Sequence, residues 1–302
     1  MIRIDDTSGG EVAAAISRER HRQGSPATGM VLTLLILATE EFQSDATAAA
    51  VTSARAHPMR IVTLIPRPGR NAPTLDAEIA VGGDDGPGEV AVLRLRGELS
   101  EHANSVAIPL LLSDTPVVAF WPSEAPECLA QDSIGKHAQR RISDSAMSKD
   151  PSHALKLRAQ TYHPGDTDLA WTRLTPWRSA LAAALDRPVG SMSEVIIEAE
   201  DGNPSALLLA TWLNLRLGAP VRSHVSSLPG ISAVTLRSDN GDISISRADG
   251  DSAILCRPDT PDAVISLPDR DLSALLNEEL KRLDPDNVFG SVMFALRQEN
   301  TP

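Results

Sequence analysis

Apolar residues in the first half of the chain gather into near-continuous runs. Residues 30–38, 59–65 and 116–121 are such runs, and runs of that length without polar alternation suit strands covered on both faces. Between the first two lie residues 46–57, an alanine-rich stretch that Asp45 is placed to cap and Pro58 to end. Strand, helix, strand in that order predicts a βαβ unit and a mainly parallel sheet. Residues 74–81 and 90–95 read as further strands, 11–22 and 104–112 as helices, and 133–141 as a short helix.

After residue 190 the pattern changes. A strand at 194–198 is followed by a helix at 204–217, closed by Gly218 and burying Leu207, Leu208, Trp212 and Leu215. Short alternating runs then take over. Residues 231–237 and 243–246 flank Asn240-Gly241, a strong hairpin signal, and Asp249-Gly250 turns the chain towards 253–256 and then 263–267. Residues 151–161 are helical. Helices at 270–283 and 286–297 close the chain, with 300–302 frayed. The predicted fold is α/β: an N-terminal, mainly parallel βαβ sheet domain over 1–150, a helical connector over 151–190, and a C-terminal α+β domain with an antiparallel meander over 191–302.

The connector holds Tyr162, the chain's one tyrosine, and two of its four tryptophans, Trp171 and Trp177, in a sequence only 3% aromatic. Pro164-Gly165 breaks the preceding helix, and Asp166 or Thr167 caps the next. Ala170, Leu174, Trp177, Leu181 and Ala184 then fall on one helical stripe, with Trp171 and Arg178 together on its flank. Pro176 predicts a kink or a restart, with Thr175 as a fresh cap. Two readings stand: a packed interdomain helix, or a helix whose Trp171, Arg173 and Arg178 also face a partner, since tryptophan and arginine dominate interface energetics. Arg140 and Arg141, in the densest basic cluster, either complement a helix C-terminus or contact an acidic partner or a phosphate.

Composition narrows the function. At 302 residues, 42% hydrophobic and 23% charged, the chain can bury two cores. A net charge of -12 disfavours nucleic acid and anionic membrane surfaces. No apolar run reaches the length of a membrane span, no signal peptide opens the chain, and the expected location is the cytoplasm. Cys128 and Cys256, one in each half, are expected as reduced thiols, with no disulfide. The glycine-rich segment 82–88 carries two aspartates and no lysine, so it reads as a hairpin loop rather than a phosphate cradle. Nucleotide-binding, esterase-elbow and metalloprotease motifs are absent, and the seven histidines lack metal-ligand spacing. His163 beside Asp166 and Asp168 is the one place where a base and carboxylates crowd together, and carboxylates there more often serve a cap. No catalytic residue, metal or cofactor is expected.

Several blocks together resemble the glucose-6-phosphate dehydrogenase assembly protein family, OpcA, in its actinobacterial form. They include Gly29-Met30-Val31-Leu32-Thr33-Leu34, Pro116-Val117-Val118-Ala119-Phe120-Trp121-Pro122, Pro164-Gly165-Asp166-Thr167-Asp168-Leu169-Ala170-Trp171-Thr172-Arg173-Leu174 and Leu228-Pro229-Gly230-Ile231. The resemblance spans nearly the whole chain. It implies a non-enzymatic protein that binds glucose-6-phosphate dehydrogenase and supports its assembly or activity. The competing class is a sugar-phosphate- or nucleotide-binding α/β enzyme or sensor, with its site at the C-terminal ends of the first sheet and Arg140 and Arg141 as an anion clamp.

Overall fold

The apolar runs of the first half become the centre of a sheet. The computed structural model describes residues 1–23, 29–82, 88–186, 189–247 and 250–299. In chain order the elements are β1 (Ile2–Ile4), α1 (Gly9–Gln23), β2 (Leu32–Leu37), α2 (Gln43–Ser53), β3 (Met59–Arg67), β4 (Thr74–Val81), β5 (Glu89–Arg96), α3 (Ala103–Ala107), β6 (Val117–Trp121), β7 (Arg140–Ser143), α4 (Pro151–Gln160) and β8 (Asp166–Asp168). There follow α5 (Leu169–Thr172), α6 (Thr175–Ala184), β9 (Met192–Ala199), α7 (Pro204–Leu217), β10 (Val221–Val225), β11 (Ile231–Ser238), β12 (Ile243–Arg247), β13 (Ser252–Arg257), β14 (Thr260–Ser266), α8 (Leu272–Leu280) and α9 (Asn287–Glu299).

The chain divides into two compact units that are not consecutive segments. One comprises Met1–Asp144, His163–Thr167 and Asp271–Asp286, the other Ser145–Tyr162, Asp168–Arg270 and Asn287–Pro302. Residues 163–167 and 271–286 thus return to the first unit, which a three-part linear division does not express.

The sheet of the first unit has the order β1-β4-β5-β3-β2-β6-β7-β8. Its middle is parallel, through β5-β3, β3-β2, β2-β6 and β6-β7, while β4 and β1 are antiparallel additions at one side. Counted from β2, the parallel strands run 3-2-1-4-5, the order of a doubly wound sheet whose direction of winding reverses between β2 and β6. Leu35, Val62 and Leu64 join Val12 and Ile16 of α1 and Val106 of α3 in one core cluster. On the other face Thr63 meets Thr47 of α2 at 2.8 Å, and Ser53 of α2 donates to Ser273 O of α8 at 3.1 Å.

The sheet of the second unit has the order β10-β9-β11-β12-β13-β14. Its β11–β14 portion is the expected antiparallel meander, and Asn240-Gly241 does join β11 to β12. Asp249 and residues 300–302 lie outside the described residues. So do 83–87, although β4 and β5 pair antiparallel and Gly82 N donates to Gly88 O at 2.9 Å, as a hairpin requires.

Four local expectations change. Asp45 sits inside the first turn of α2, whose N-cap is Phe42 with no side-chain bond. Residues 104–112 give only the short α3 and a 3-10 turn that contains Pro109. The basic segment 133–141 is a single 3-10 turn followed by β7, not a helix. Asp132 accepts the N–H groups of Ile134 and Gly135, and pairing with β6 then extends the chain. On α7, Leu208, Leu209 and Leu213 are buried while Leu215 is 48% exposed, so the stripe lies about one position from the expected one. Strand β10 gave no signal because only Val221 and Val225 in it are apolar, as suits an exposed edge.

One buried charge cluster ties the first unit together. Glu89 at the start of β5 accepts from Arg60 Nε at 2.7 Å and Arg20 Nε at 2.6 Å, and Arg60 Nη1 also donates to Leu110 O at 2.7 Å. Glu89→Ala leaves Arg60 as an uncompensated buried cation and should cost about 3–5 kcal/mol. Denaturant unfolding of the variant checks this, and a loss under about 1 kcal/mol would mean that water reaches the cluster.

Candidate functional site

A doubly wound sheet offers a ligand the crevice beyond the carboxyl ends of its strands, where the winding reverses. Here that place follows β2. In dinucleotide-binding sheets a glycine-rich turn brings backbone N–H groups and a helix N-terminus to the pyrophosphate. This chain instead runs Ala38-Thr39-Glu40-Glu41-Phe42 into α2. Thr39 O accepts the N–H groups of Phe42 at 3.2 Å and Gln43 at 3.0 Å. Glu40 accepts from Arg67 Nη2 at 2.5 Å and lies 3.4 Å from Arg94 Nε. The hydrogen bond from Arg67, with lesser help from Arg94, holds the Glu40 carboxyl below the usual carboxylate range against the opposing effect of burial. An ionised carboxylate therefore stands in the turn where a phosphate would need donors. This feature was legible as two glutamates directly after the first parallel strand, though they belong to no motif.

Arg140 and Arg141 do not form an anion clamp. As successive residues of β7 they are both buried, at 4% and 8% exposure. Arg140 pairs with Glu279 of α8 and donates to Asp284 O at 3.0 Å. Arg141 donates to Asp166 Oδ1 at 2.5 Å, Pro164 O at 2.7 Å and Ala138 O at 2.8 Å. Burial raises the Asp166 carboxyl pKa, opposed by the Arg141 guanidinium and the His163 N–H. Gly165 has φ +95, and a Cβ there would stand 2.5 Å from Gln139 O. That leaves this turn to glycine.

The crowding of His163 with two carboxylates is a matter of backbone capping. Asp166 Oδ2 accepts the backbone N–H of His163 at 2.8 Å, while the imidazole Nδ1 faces Cys128 Sγ at 3.9 Å. Asp168 accepts Ser145 Oγ at 2.6 Å and, as N-cap of α5, Ala170 N at 2.9 Å. Both cysteines are free thiols. Asp262, through a hydrogen bond, and then burial raise the Cys256 pKa.

The helix does restart at Thr175–Ala184, with Pro176 in its first turn, although Leu174 rather than Thr175 takes the cap position. Trp177 is in the core as expected, but Trp171 is not on an exposed flank: it is 1% exposed. Trp171 and Arg178 do share one flank, but Phe289 of α9 packs on that flank and buries Trp171. Trp171 is one end of a chain of aromatic rings. The Arg178 guanidinium stacks on it 3.8 Å from the ring centroid, Phe289 meets it at 5.7 Å, Tyr162 meets Phe289 at 5.9 Å, and Phe294 meets Tyr162 at 5.9 Å. Arg173 and Arg178 are half-buried, and Phe294 is 57% exposed. Among the described residues, no group of three or more His, Cys, Asp or Glu side chains is placed to hold a metal ion, and no helix is long and apolar enough to cross a membrane.

The architecture defines an α/β protein with a doubly wound sheet whose turn after β2 carries no glycine. Residues 50–160 match the family described as the glucose-6-phosphate dehydrogenase subunit N-terminal domain, and residues 164–293 match the corresponding C-terminal domain. The chain belongs to the OpcA family of glucose-6-phosphate dehydrogenase assembly proteins. No curated protein matches it. Among solved structures it is similar to an oxidoreductase from Sinorhizobium meliloti, at 10% identity over 89% of this chain and 87% of that one, with a TM-score of 0.44. A dehydrogenase (MviM) from Clostridium difficile gives 6% identity over 89% and 97%, with a TM-score of 0.46. Likenesses that distant carry no functional argument.

The two tryptophans should now fail alike. Trp171→Ala and Trp177→Ala each empty a large buried volume and should each cost about 3–5 kcal/mol. Arg178→Ala removes one stacked cation and should cost about 0.5–2 kcal/mol. Thermal unfolding of the three variants decides it; a Trp171→Ala protein as stable as the parent would return that side chain to the surface.

Proposed function

We propose that this chain is a non-catalytic, cytoplasmic partner of glucose-6-phosphate dehydrogenase that binds the enzyme and promotes its assembly or activity. Family membership supports the partner, and Glu40 is the observation that carries the non-catalytic part. A carboxylate held ionised by Arg67 and Arg94 repels the phosphates that a nucleotide-using or sugar-phosphate-using site at this crevice would have to hold. Arg140 and Arg141, the guanidiniums once suited to that task, are buried and engaged.

A partner without an active site can still raise an enzyme's activity. It needs only to bind the competent form better than the incompetent one, which shifts the population by mass action. At a hundred times its dissociation constant, such a helper stabilises the bound form by about 2.7 kcal/mol. The contact we propose lies at the ends of the aromatic chain. Arg173, Arg178 and Phe294 are the side chains we assign to it; Trp171 lies beneath Arg178, and Tyr162 packs on Phe294.

Mixed with the cognate dehydrogenase, the chain should change that enzyme's rate or its sedimenting size and show no turnover alone. Phe294→Ala should fold normally and weaken binding by roughly 2 kcal/mol if it is a hot-spot residue. A dehydrogenase whose rate and size are both indifferent to the chain would overturn the proposal, as would robust turnover by the chain itself.

A further inference from the structure

Gly290 stands inside α9, where glycine weakens a helix relative to almost any other residue. Its backbone does not ask for glycine, because φ there is not positive. The space around it does. A Cβ at Gly290 would lie 2.8 Å from Tyr162 Oη, 3.4 Å from Cζ and 3.5 Å from Cε1. The first of these is a clash, while the other two are ordinary van der Waals contacts. The missing Cβ therefore leaves a notch in the helix surface, and the hydroxyl end of Tyr162 fills it. Helix α4 packs on α9, and its C-terminal end leads the chain into Tyr162.

Gly290 and Phe294 are four residues apart and so share one face of α9. Tyr162 meets the Phe294 ring edge to face, with centroids 5.9 Å apart and planes at 77°. It meets Phe289 in the same way, at 5.9 Å and 78°. The two phenylalanines differ in burial, Phe289 being 1% exposed and Phe294 57%. Tyr162 thus links a ring fixed in the core to a ring presented to solvent. Edge-to-face pairing favours one ring orientation. An aromatic side chain already held in place has less freedom to lose when a partner covers it. Phenylalanine brings neither charge nor hydrogen-bonding group, so the surface that suits it is an apolar pocket.

We propose that Gly290 is a positioning residue: its notch seats Tyr162, and the seated ring holds Phe294 as an anchor for an apolar pocket on the partner. The dehydrogenase as that partner rests on the functional reading above; the notch rests on packing alone. The consequence is specific to one atom. A Cβ at position 290 meets the tyrosine hydroxyl, so alanine there conflicts with tyrosine at 162 and is compatible with phenylalanine.

Tyr162 is the one tyrosine of the chain, so the full chain made with meta-fluorotyrosine gives a fluorine signal from this seat alone. Gly290→Ala, checked by circular dichroism for a parental fold, should move that signal. Ser291→Ala, at an exposed position on the same helix, should leave it in place. In titrations against the cognate dehydrogenase, Gly290→Ala should weaken binding about three- to tenfold, the scale of one lost edge-to-face contact. Tyr162→Ala removes the same support without touching α9 and should weaken binding at least as much. In a Tyr162→Phe background, Gly290→Ala should cost less than about twofold beyond Tyr162→Phe alone, since the atom it strikes is gone. An unmoved signal in folded Gly290→Ala overturns the notch. A moved signal with parental binding overturns the positioning role, as does a loss that Tyr162→Phe leaves undiminished. If Gly290→Ala does not fold, parental binding by Tyr162→Ala overturns that role instead. A parent chain that leaves the dehydrogenase unbound defeats the functional reading and the anchor with it, while the fluorine signal still decides the notch.

Discussion

Two adjacent arginines on one short strand hold the first unit's most distant pieces of sequence in place. Successive residues of a strand point to opposite faces, so Arg140 and Arg141 of β7 each reach a different segment. Arg140 takes Glu279 and the carbonyl of Asp284, and Arg141 takes Asp166 and the carbonyl of Pro164. Both segments belong to the first unit although the residues around them belong to the second. Backbone pairing with β7 and the buried Leu275, Leu276 and Leu280 of α8 hold the same segments. Charges buried this deeply stabilise only when every donor and acceptor is matched, and losing one partner leaves the other as an uncompensated cost. The same engagement removes both guanidiniums from any role at a ligand or an acidic partner.

Much of the fold was legible. The apolar runs at 30–38, 59–65 and 116–121 are β2, β3 and β6, buried on both faces, and Asn240-Gly241 turns the meander where it should. What was not legible depended on tertiary pairing. Residues 133–141 carry no strand signature in their polar side chains, yet the free edge of β6 recruits Arg140–Ser143. The β10 edge has too few apolar residues to show a period, and α7 is apolar enough on several sides that its buried stripe was misplaced by one position.

The candidate site was less legible than the fold, for a physical reason. Tryptophan and arginine near a predicted helix flank suggest a surface anchor, but Phe289 of α9 covers that flank, so Trp171 is buried while Arg178 stacks on it. The informative residue, Glu40, belongs to no motif; its meaning comes from where the strand order reverses, which only the assembled sheet reveals.

The proposed function joins a doubly wound strand order to a Glu40 carboxylate, paired with Arg67 and Arg94, in the turn after β2. The most direct measurement is a calorimetric titration of the full chain with NAD+ and NADP+ at low ionic strength, where electrostatic attraction would be strongest. No saturable heat up to about 1 mM is the predicted result, since binding weaker than that is worth less than about 4.1 kcal/mol. A saturable site in the micromolar range, lost when Arg67 or Arg94 is replaced, would mean that those arginines serve a nucleotide rather than Glu40, and would contradict the account.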